Sequence, residues 1–431
     1  MIIPEFSKGV PVFVAPINEA TKKWGVYSIP MLWRTPDQKL HIRINGEQDL
    51  PYTKDMQQAP NLYFVSLDNG ETWSENFDDI PDYTVFTGIS SPYLKLKNGK
   101  HIAIRGKKDL APITDTEYRK EFILPNGEAV VHSYRYGDIK PECKGIELLT
   151  FDADKSSPMI TDAVINFPQR EVLVNSAARV GENEYLPEIE YLQQYIFKRP
   201  YFCALTEISD GTLLSLAYGQ HPDVKDRYCG VVYCLESKDL GKTWSYRGTV
   251  AKDSNMPNGY SGDGNEITMA QTENGNLICA MRMDMSKGFD DGVECGTAVA
   301  VSHDLGFTWG KPYFISGSSV TPQIVSLNSG VTVVVYGRPG VHLKYTPDNG
   351  KSWSKEYTVI GKTLKEELES GKSYWDAKYG DTSSYSNVFV EPISDSELII
   401  LYNDAKYDNG DGLQHKATMV KKVSFNNIEE K

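Results

Sequence analysis

The chain has 431 residues, of which 40% are hydrophobic and 24% are charged, a composition typical of a folded globular protein and not of a collagen-like or disordered one. Lys and Arg number 45 against 58 Asp and Glu, so the formal net charge is −13. This balance disfavours nucleic acid or an anionic membrane as the main partner, because either would favour a basic face.

The start of the chain, Met-Ile-Ile-Pro-Glu-Phe-Ser-Lys, has no basic segment followed by an apolar one, so it does not predict a signal peptide. No window approaches the ~18 uncharged apolar residues that a membrane helix needs, and no membrane insertion is expected. The protein is expected to be secreted or periplasmic if the chain is a processed form, and otherwise cytoplasmic. The sequence leaves both the location and the oligomeric state open.

A polar turn followed by an apolar strand recurs six times along the chain. Each copy places Asp, Asn, Ser or Gly just before the apolar residues, which is the pattern of a β-hairpin. The copies lie at residues 36–40, 97–102, 209–213, 273–277, 327–331 and 394–398. Six turns predict six hairpins.

A second motif, Ser/Thr-x-Asp-x-Gly-x-Thr/Ser-Trp, occurs four times. Its copies are residues 66–73, 237–244, 302–309 and 346–353, and residues 150–157 form a degenerate fifth. The Asp accepts hydrogen bonds from backbone N–H groups and the Gly adopts positive φ, so each copy predicts a turn between two strands. Each complete copy follows a polar turn by about 20 to 30 residues, enough for the intervening strands of a four-stranded unit.

The repeat predicts an all-β fold: a six-bladed β-propeller of four-stranded antiparallel blades, with residues 1–431 forming a single domain. The interval between the second and third turns is much longer than the others, which predicts insertions within about residues 107–137 and 155–198. Short helices are predicted at residues 187–197 and 362–371.

The six cysteines contain no CxxC pair and no zinc-like grouping with the seven histidines. This pattern predicts no metal site, and nothing in the sequence indicates a cofactor. Cys203 and Cys279 lie inside apolar runs and are predicted to be buried free thiols.

The repeated motif is the Asp-box of sialidases and related propeller proteins, and the chain resembles that superfamily over nearly its whole length. Sialidases carry a Tyr nucleophile, a Glu that partners it, an Asp acid/base and three Arg that bind the substrate carboxylate, all at the blade tops. Asp-boxes also occur in lyases, other glycosidases and non-catalytic propellers. The resemblance implies a glycoside hydrolase of the sialidase (neuraminidase) type.

Three segments resemble parts of the sialidase site, in the family's order. Glu266 opens the fourth blade and Arg282 ends the following strand, like the family's Glu and second Arg. Arg338 in the fifth blade is placed like the third Arg. Tyr385 lies in a Ser-Tyr-Ser-Asn segment of the sixth blade that resembles the strand carrying the nucleophile.

The chain departs from the family at two positions. The first blade of a sialidase opens with Tyr-Arg-Ile-Pro, whereas this chain has Ser28 in place of the Arg. The acid/base Asp is not fixed by a pattern: Asp55, shortly before the first Asp-box, fits best, and Asp49 is the alternative.

Arginines also form a pattern that is independent of the family. Arg43, Arg105, Arg282 and Arg338 each follow a polar turn by a few residues, and Arg199 opens the third blade. On one propeller mouth, several guanidinium groups would suit a carboxylate or a sulfate. We expect either that Arg43, Arg105 or Arg199 replaces the missing Arg, or that the acid group of the substrate binds differently.

The sequence therefore predicts a sialidase-like retaining exo-glycosidase whose partner is a small acidic sugar or oligosaccharide. A Tyr nucleophile suits such a substrate, because a carboxylate nucleophile would be repelled by the acid group of the sugar. Glu266 would take the phenol proton and the Asp would protonate the leaving oxygen. The alternatives are a polysaccharide lyase acting on uronates and a non-catalytic carbohydrate-binding propeller.

Overall fold

A computed structural model describes residues 2–22, 25–46, 59–76, 93–107, 110–111, 113, 115–123, 129–151, 158–166, 171–179, 185–187, 201–222, 228–252, 265–283, 296–373, 376–377 and 387–427. Its regular structure is almost entirely antiparallel β. Within these ranges, no helix combines the length and apolar character needed to cross a membrane.

The strands of the first part of the chain are β1 (Ile2–Phe6), β2 (Val10–Val14), β3 (Pro30–Arg34), β4 (Leu40–Ile44), β5 (Leu62–Ser66), β6 (Ser74–Glu75), β7 (Leu94–Lys95), β8 (His101–Gly106), β9 (Lys120–Ile123), β10 (Ala129–Arg135), β11 (Ile146–Phe151), β12 (Met159–Asn166), β13 (Glu171–Arg179) and β14 (Tyr185–Pro187). A short 3₁₀ turn occupies Pro141–Cys143.

The strands of the second part are β15 (Tyr201–Glu207), β16 (Leu213–Pro222), β17 (Tyr228–Ser237), β18 (Thr243–Lys252), β19 (Asn265–Gln271), β20 (Leu277–Met283), β21 (Gly296–Ser302), β22 (Tyr313–Ser316), β23 (Val320–Ser326), β24 (Thr332–Gly337), β25 (Val341–Thr346), β26 (Tyr357–Ile360), β27 (Val388–Pro392), β28 (Glu397–Asp408) and β29 (Gln414–Asn427). The helix predicted at 362–371 is confirmed as α1 (Leu364–Glu369), capped by Thr363. The helix predicted at 187–197 falls outside the described residues except for its first position.

Six antiparallel groups of strands follow one another along the chain. Sheet A contains β3–β6, sheet C β15–β18, sheet D β19–β22 and sheet E β23–β26, each in chain order. Sheet B contains β7, β8, β11 and β12. Sheet F has five strands, β27, β28, β29 and β1 in this order, with β2 also paired to β29. Strand β1 therefore completes the sheet built by the last strands, pairing with β29 from Ile2–Asn427 to Phe6–Val423.

The six predicted polar turns all join the first and second strands of these sheets. Two features of the sheets depart from this regular pattern. Strands β9, β10, β13 and β14 form a separate inserted sheet, drawn from residues 120–187. Strand β12 also pairs in parallel with β18 over Val164–Asn166, which joins sheets B and C edge to edge.

The Asp-boxes form tight turns between the third and fourth strands of sheets A, C, D and E. In the first box the Asp68 carboxylate accepts hydrogen bonds from the Thr72 N–H at 2.9 Å and the Thr72 hydroxyl at 2.6 Å. The Ser66 hydroxyl accepts from the Gly70 N–H at 2.7 Å, and Gly70 has a φ of 82°. The boxes centred on Asp239, Asp304 and Asp348 repeat these contacts, so the motif satisfies the turn's backbone donors locally.

The core consists of separate apolar clusters, five of which lie between two consecutive sheets among the described residues. Residues of sheets B and C share one cluster around Trp244, which is fully buried. Further clusters join C to D, D to E, E to F and F to A. The last sheet packs against the first, and this cyclic order is consistent with a β-propeller.

Candidate functional site

Chain direction places the predicted site residues that the structure describes at one end of the sheets. The first and second strands meet at the polar turns, and the third and fourth meet at the Asp-boxes, so in an antiparallel sheet both turns lie at the same end. The opposite end, called here the upper end, holds the start of each first strand and the finish of each second strand. First strands β3, β27, β23, β19 and β15 contact one another in succession.

Glu266 and Arg282 meet at the upper end of sheet D. Arg282 Nη1 donates to Glu266 Oε1 at 2.8 Å, and both side chains are largely buried. The pairing register of β19 and β20 shifts at this point, and Glu266 has a φ of 43°, which is uncommon for a non-glycine residue. A bulge of this kind redirects a side chain, here toward the arginine that ends the next strand.

A series of hydrogen bonds joins the upper ends of four sheets. Glu266 Oε2 accepts from the backbone N–H of Thr321, in sheet E, at 2.7 Å. The Thr321 hydroxyl accepts from the N–H of Val388, in sheet F, at 2.9 Å. Asn387 Nδ2 donates to the Ser28 carbonyl, just before sheet A, at 3.1 Å. Each bond crosses between sheets, so the position of Glu266 is coupled to the neighbouring first strands.

Arg338 lies on a tight turn at the upper end of sheet E. It has a φ of 51°, is half-buried, and is followed by Pro339, whose carbonyl accepts from the Ser318 hydroxyl at 3.1 Å. His342 Nε2 lies 2.9 Å from the same carbonyl and 3.2 Å from the carbonyl of Lys362. Both partners are acceptors, so Nε2 carries the proton. Burial lowers the pKa of His342, which favours this neutral form.

Arg43 and Arg105 also lie near the ends of second strands, but they differ in environment. Arg105 is 4% exposed and its guanidinium forms an ion pair with Glu147, which lies directly opposite on β11. Arg43 is half-buried on β4, opposite Met31 and Tyr63. Arg105 thus has a carboxylate partner within its own sheet.

Four predicted site residues, Tyr385, Asp55, Asp49 and Arg199, lie outside the described residues. Ser28, at the position of the family's first Arg, is buried, and its hydroxyl donates to the Val26 carbonyl at 3.3 Å. Of the predicted set, the structure brings together Glu266 and Arg282.

Sequence reasoning missed several residues that organise the upper end. Thr321 and Asn387 carry the inter-sheet bonds, and His342 supports the Arg338 turn. Asp404 on β28 is 8% exposed and burial raises the pKa of its carboxyl. The sequence contains one indication of Asp404. It lies in a run of Asn and Asp at the end of a second strand, at a place where other sheets have Arg.

Comparison with known proteins agrees with the repeated turns. Residues 199–409 match the model of the BNR repeat-like domain, and residues 64–75 match that of the BNR/Asp-box repeat. The chain carries BNR repeats. No curated protein matches this BNR-repeat chain. In the part of the chain that the structure describes, no group of three or more His, Cys, Asp or Glu could hold a metal ion.

Several solved structures are similar to this chain at low sequence identity. A Dyadobacter fermentans protein of unknown function is 15% identical, with 98% of this chain and 99% of that one covered and a TM-score of 0.55. A sialidase from Streptococcus pneumoniae is 14% identical, with 97% and 70% covered and a TM-score of 0.45. An α-L-arabinanase from Penicillium chrysogenum is 14% identical, with 96% and 98% covered and a TM-score of 0.46.

Proposed function

We propose that the chain is a sialidase-like retaining exo-glycosidase that releases a terminal acidic sugar from a glycan. Residues 1–431 form a single six-bladed β-propeller in this proposal, with sheets A–F as its blades; each blade has four strands, to which β2 adds a fifth in sheet F. The BNR repeats and the cyclic packing of the sheets support this architecture. The upper end is the mouth of the site.

The observation that carries the proposal is the pairing of Glu266 with Arg282 at the upper end. Both oxygens of Glu266 accept a hydrogen bond, one from Arg282 and one from the Thr321 N–H. A carboxylate has about four lone-pair sites, so two remain for a further proton donor. Glu266 is therefore held in a fixed orientation and can still act as a base toward a phenol.

The proposed reaction has two steps. Tyr385 attacks the anomeric carbon while Glu266 takes the phenol proton, and Asp55, or Asp49 in its place, donates a proton to the departing glycosidic oxygen. Water then attacks the glycosyl–tyrosine, the same Asp takes the water proton, and Glu266 returns its proton to the leaving Tyr385 oxygen. Two inversions at the anomeric carbon retain its configuration.

Recognition of the acid group falls to arginine. Arg282 and Arg338 lie at the upper ends of adjacent sheets, and planar guanidinium groups bind carboxylates through paired donors. Arg43 or Arg199 supplies the third contact in place of the missing first-blade Arg. Arg105 suits this role less well, because its side chain is more deeply buried than that of Arg282 and is paired with Glu147 inside its own sheet.

Hydrolysis of fluorogenic glycosides of sialic, glucuronic and galacturonic acid tests the proposal. We expect Tyr385→Phe and Glu266→Gln each to lower kcat by about 10²–10⁴-fold on the substrate that is cleaved. Glu273→Gln, which lies in the polar turn at the opposite end of sheet D, serves as the control and should not change kcat. The first product, observed by proton NMR, should keep the anomeric configuration of the substrate.

Three results would contradict the proposal. Full turnover by both Tyr385→Phe and Glu266→Gln would exclude the Tyr nucleophile. Ultraviolet absorbance from an unsaturated uronate would instead identify a lyase. Glycan binding without any turnover would favour a carbohydrate-binding propeller.

A further inference from the structure

A second cationic site lies beside the Arg338 turn, between sheets E and F. It is a pocket of about 420 Å³, lined by Gly340, Gly361, Lys362, Glu367, Lys372 and Lys406. Gly340 follows the second strand of sheet E, Gly361 follows its fourth strand, and Lys406 lies near the end of the second strand of sheet F. All three positions are at the upper end, so the pocket opens next to the proposed mouth.

The pocket has an excess of positive charge. Its single carboxylate, Glu367, is almost completely buried and pairs with Lys372, with Nζ 2.7 Å from Oε2. Lys362 attracts the carboxylate of Glu366 and Lys406 that of Asp404, but neither carboxylate lines the pocket. Among the lining residues, three ammonium groups therefore stand against one carboxylate, in a chain whose net charge is −13. A cleft lined by one sign of charge concentrates ligands of the opposite sign.

The wall that carries Lys362 is fixed to the Arg338 turn. His342 lies within hydrogen-bonding distance of both the Pro339 and the Lys362 carbonyls, so it bridges the two segments. Thr363 caps α1, accepting from the Glu366 N–H at 3.2 Å, while Glu366 accepts from the Thr363 N–H at 2.7 Å. A preformed wall spares a ligand the cost of ordering it.

Gly340 leaves room where the Arg338 turn approaches the segment that carries Lys362. Gly340 has a φ of 64°, and a Cβ there would lie 2.8 Å from the carbonyl oxygens of both Ile360 and Lys362. Only glycine fits this close approach of backbone. Arg338 and Gly340 are two residues apart, so their Cα atoms are at most about 7.6 Å from each other.

We propose that this pocket binds a second anionic group, the carboxylate or sulfate of a neighbouring sugar in an acidic oligosaccharide. This assignment rests on the proposed function, because it takes the terminal sugar to occupy the Arg282–Arg338 site. Lys362 and Lys406 provide two charge-assisted hydrogen-bond donors, and Glu367 with Lys372 forms the floor. The substrate class is then a glycan with acidic groups on adjacent sugars.

Calorimetric binding of a chondroitin sulfate tetrasaccharide, and of the same tetrasaccharide after chemical desulfation, tests this assignment. We expect the double variant Lys362→Gln/Lys406→Gln to weaken binding of the sulfated probe by about tenfold, through the loss of two charge-assisted contacts. The control is Lys365→Gln/Lys351→Gln, which removes two charges from exposed positions outside the pocket. The control should bind like the unmodified protein.

Equal affinity of the two double variants would overturn the assignment, as would failure of the unmodified protein to bind the sulfated probe. Equal loss with the sulfated and the desulfated probe would assign the lysines to carboxylate binding alone. The experiment measures binding and not turnover, so it distinguishes a failed pocket from a failed glycosidase. If Tyr385→Phe leaves turnover unchanged but the Lys362→Gln/Lys406→Gln variant loses binding, the assignment of the pocket is supported and the proposed reaction through Tyr385 is contradicted.

Discussion

At the scale of single residues, Thr321 links the proposed base to the rest of the molecule. Its N–H donates to Glu266 and its hydroxyl accepts from the Val388 N–H, while the residue itself is 5% exposed. Its φ of 45° is close to the φ of 43° of Glu266, which lies in the preceding sheet D. Equivalent strained positions in adjacent sheets indicate that the upper end constrains backbone and side chains together.

Replacing Thr321 with Val should lower the free energy of unfolding by about 1–3 kcal/mol, because the buried Val388 N–H loses its acceptor. Thr321→Ser keeps the hydroxyl and should cost less. Denaturant unfolding of the two variants measures the difference. If Thr321→Val and Thr321→Ser destabilise the protein equally, the Thr321 hydroxyl does not stabilise the contact between sheets E and F.

The residues of the upper end were only partly predictable. Glu266, Arg282 and Arg338 could be selected because each lies at a fixed place relative to a turn whose chemistry is local. Thr321, Asn387 and His342 act through contacts with residues 20 to 359 positions away in the sequence, and no local pattern encodes those. Ser28 was recognised as a departure from the family, but its burial depends on the packed neighbours.

At the scale of elements, the Asp-boxes depend on a carboxylate that accepts several hydrogen bonds. In the first box, hydrogen bonds from the Thr72 side chain and backbone, and from Ser66, lower the pKa of Asp68 to about 2. The folded value is below the ordinary one, so ionised Asp68 stabilises the fold above about pH 3.8. This stabilisation is lost as the pH falls through about 2.

Asp68→Asn should therefore destabilise the protein at pH 5 by about 1 kcal/mol or less, since solvent screens this exposed turn. The difference from the unmodified protein should shrink when both are unfolded at pH 3. Glu75→Gln removes a charge from the adjacent exposed strand and controls for net charge. A constant difference at both pH values would mean that the Asp68 charge is not responsible.

Elements differed in how well the sequence predicted them. The polar turns, the Asp-boxes and α1 were predictable because Asp, Gly, hydroxyl and capping residues determine each of them within a few positions. The parallel pairing of β12 with β18 was not, because it joins segments about 80 residues apart through backbone groups alone. The pairing of β1 with sheet F could not be predicted either, because it also joins segments that are far apart in the sequence.

At the scale of the whole molecule, sheet F is closed by the two ends of the described chain. Strand β1 runs antiparallel to β29, and the Tyr345 hydroxyl of sheet E donates to the Ile2 carbonyl. Ile2 and Phe6 pack against the cluster between sheets E and F. Sheet F is thus held together by non-covalent contacts between distant segments of the chain.

Deletion of residues 2–6 should lower the free energy of unfolding by about 2–4 kcal/mol, mainly through the lost burial of Ile2 and Phe6. It should also promote self-association, because the edge of β29 becomes unpaired over Val423–Asn427, beyond the part that β2 covers. Denaturant unfolding and light scattering measure the two effects. Glu5→Gln on the same strand is the matched control and should do neither; an unchanged midpoint after the deletion would show that β1 adds no stability.

The closure of sheet F also has a consequence for biosynthesis. Strand β1 is synthesised before its partner β29, which follows some 400 residues later in the chain. At a synthesis rate of about 5–20 residues per second, β1 waits on the order of 20 to 80 seconds for its partner. Sheets C, D and E draw their strands from continuous stretches of chain and can form during that interval. Synthesis of β29 is then the step that allows β1 to pair and sheet F to be completed.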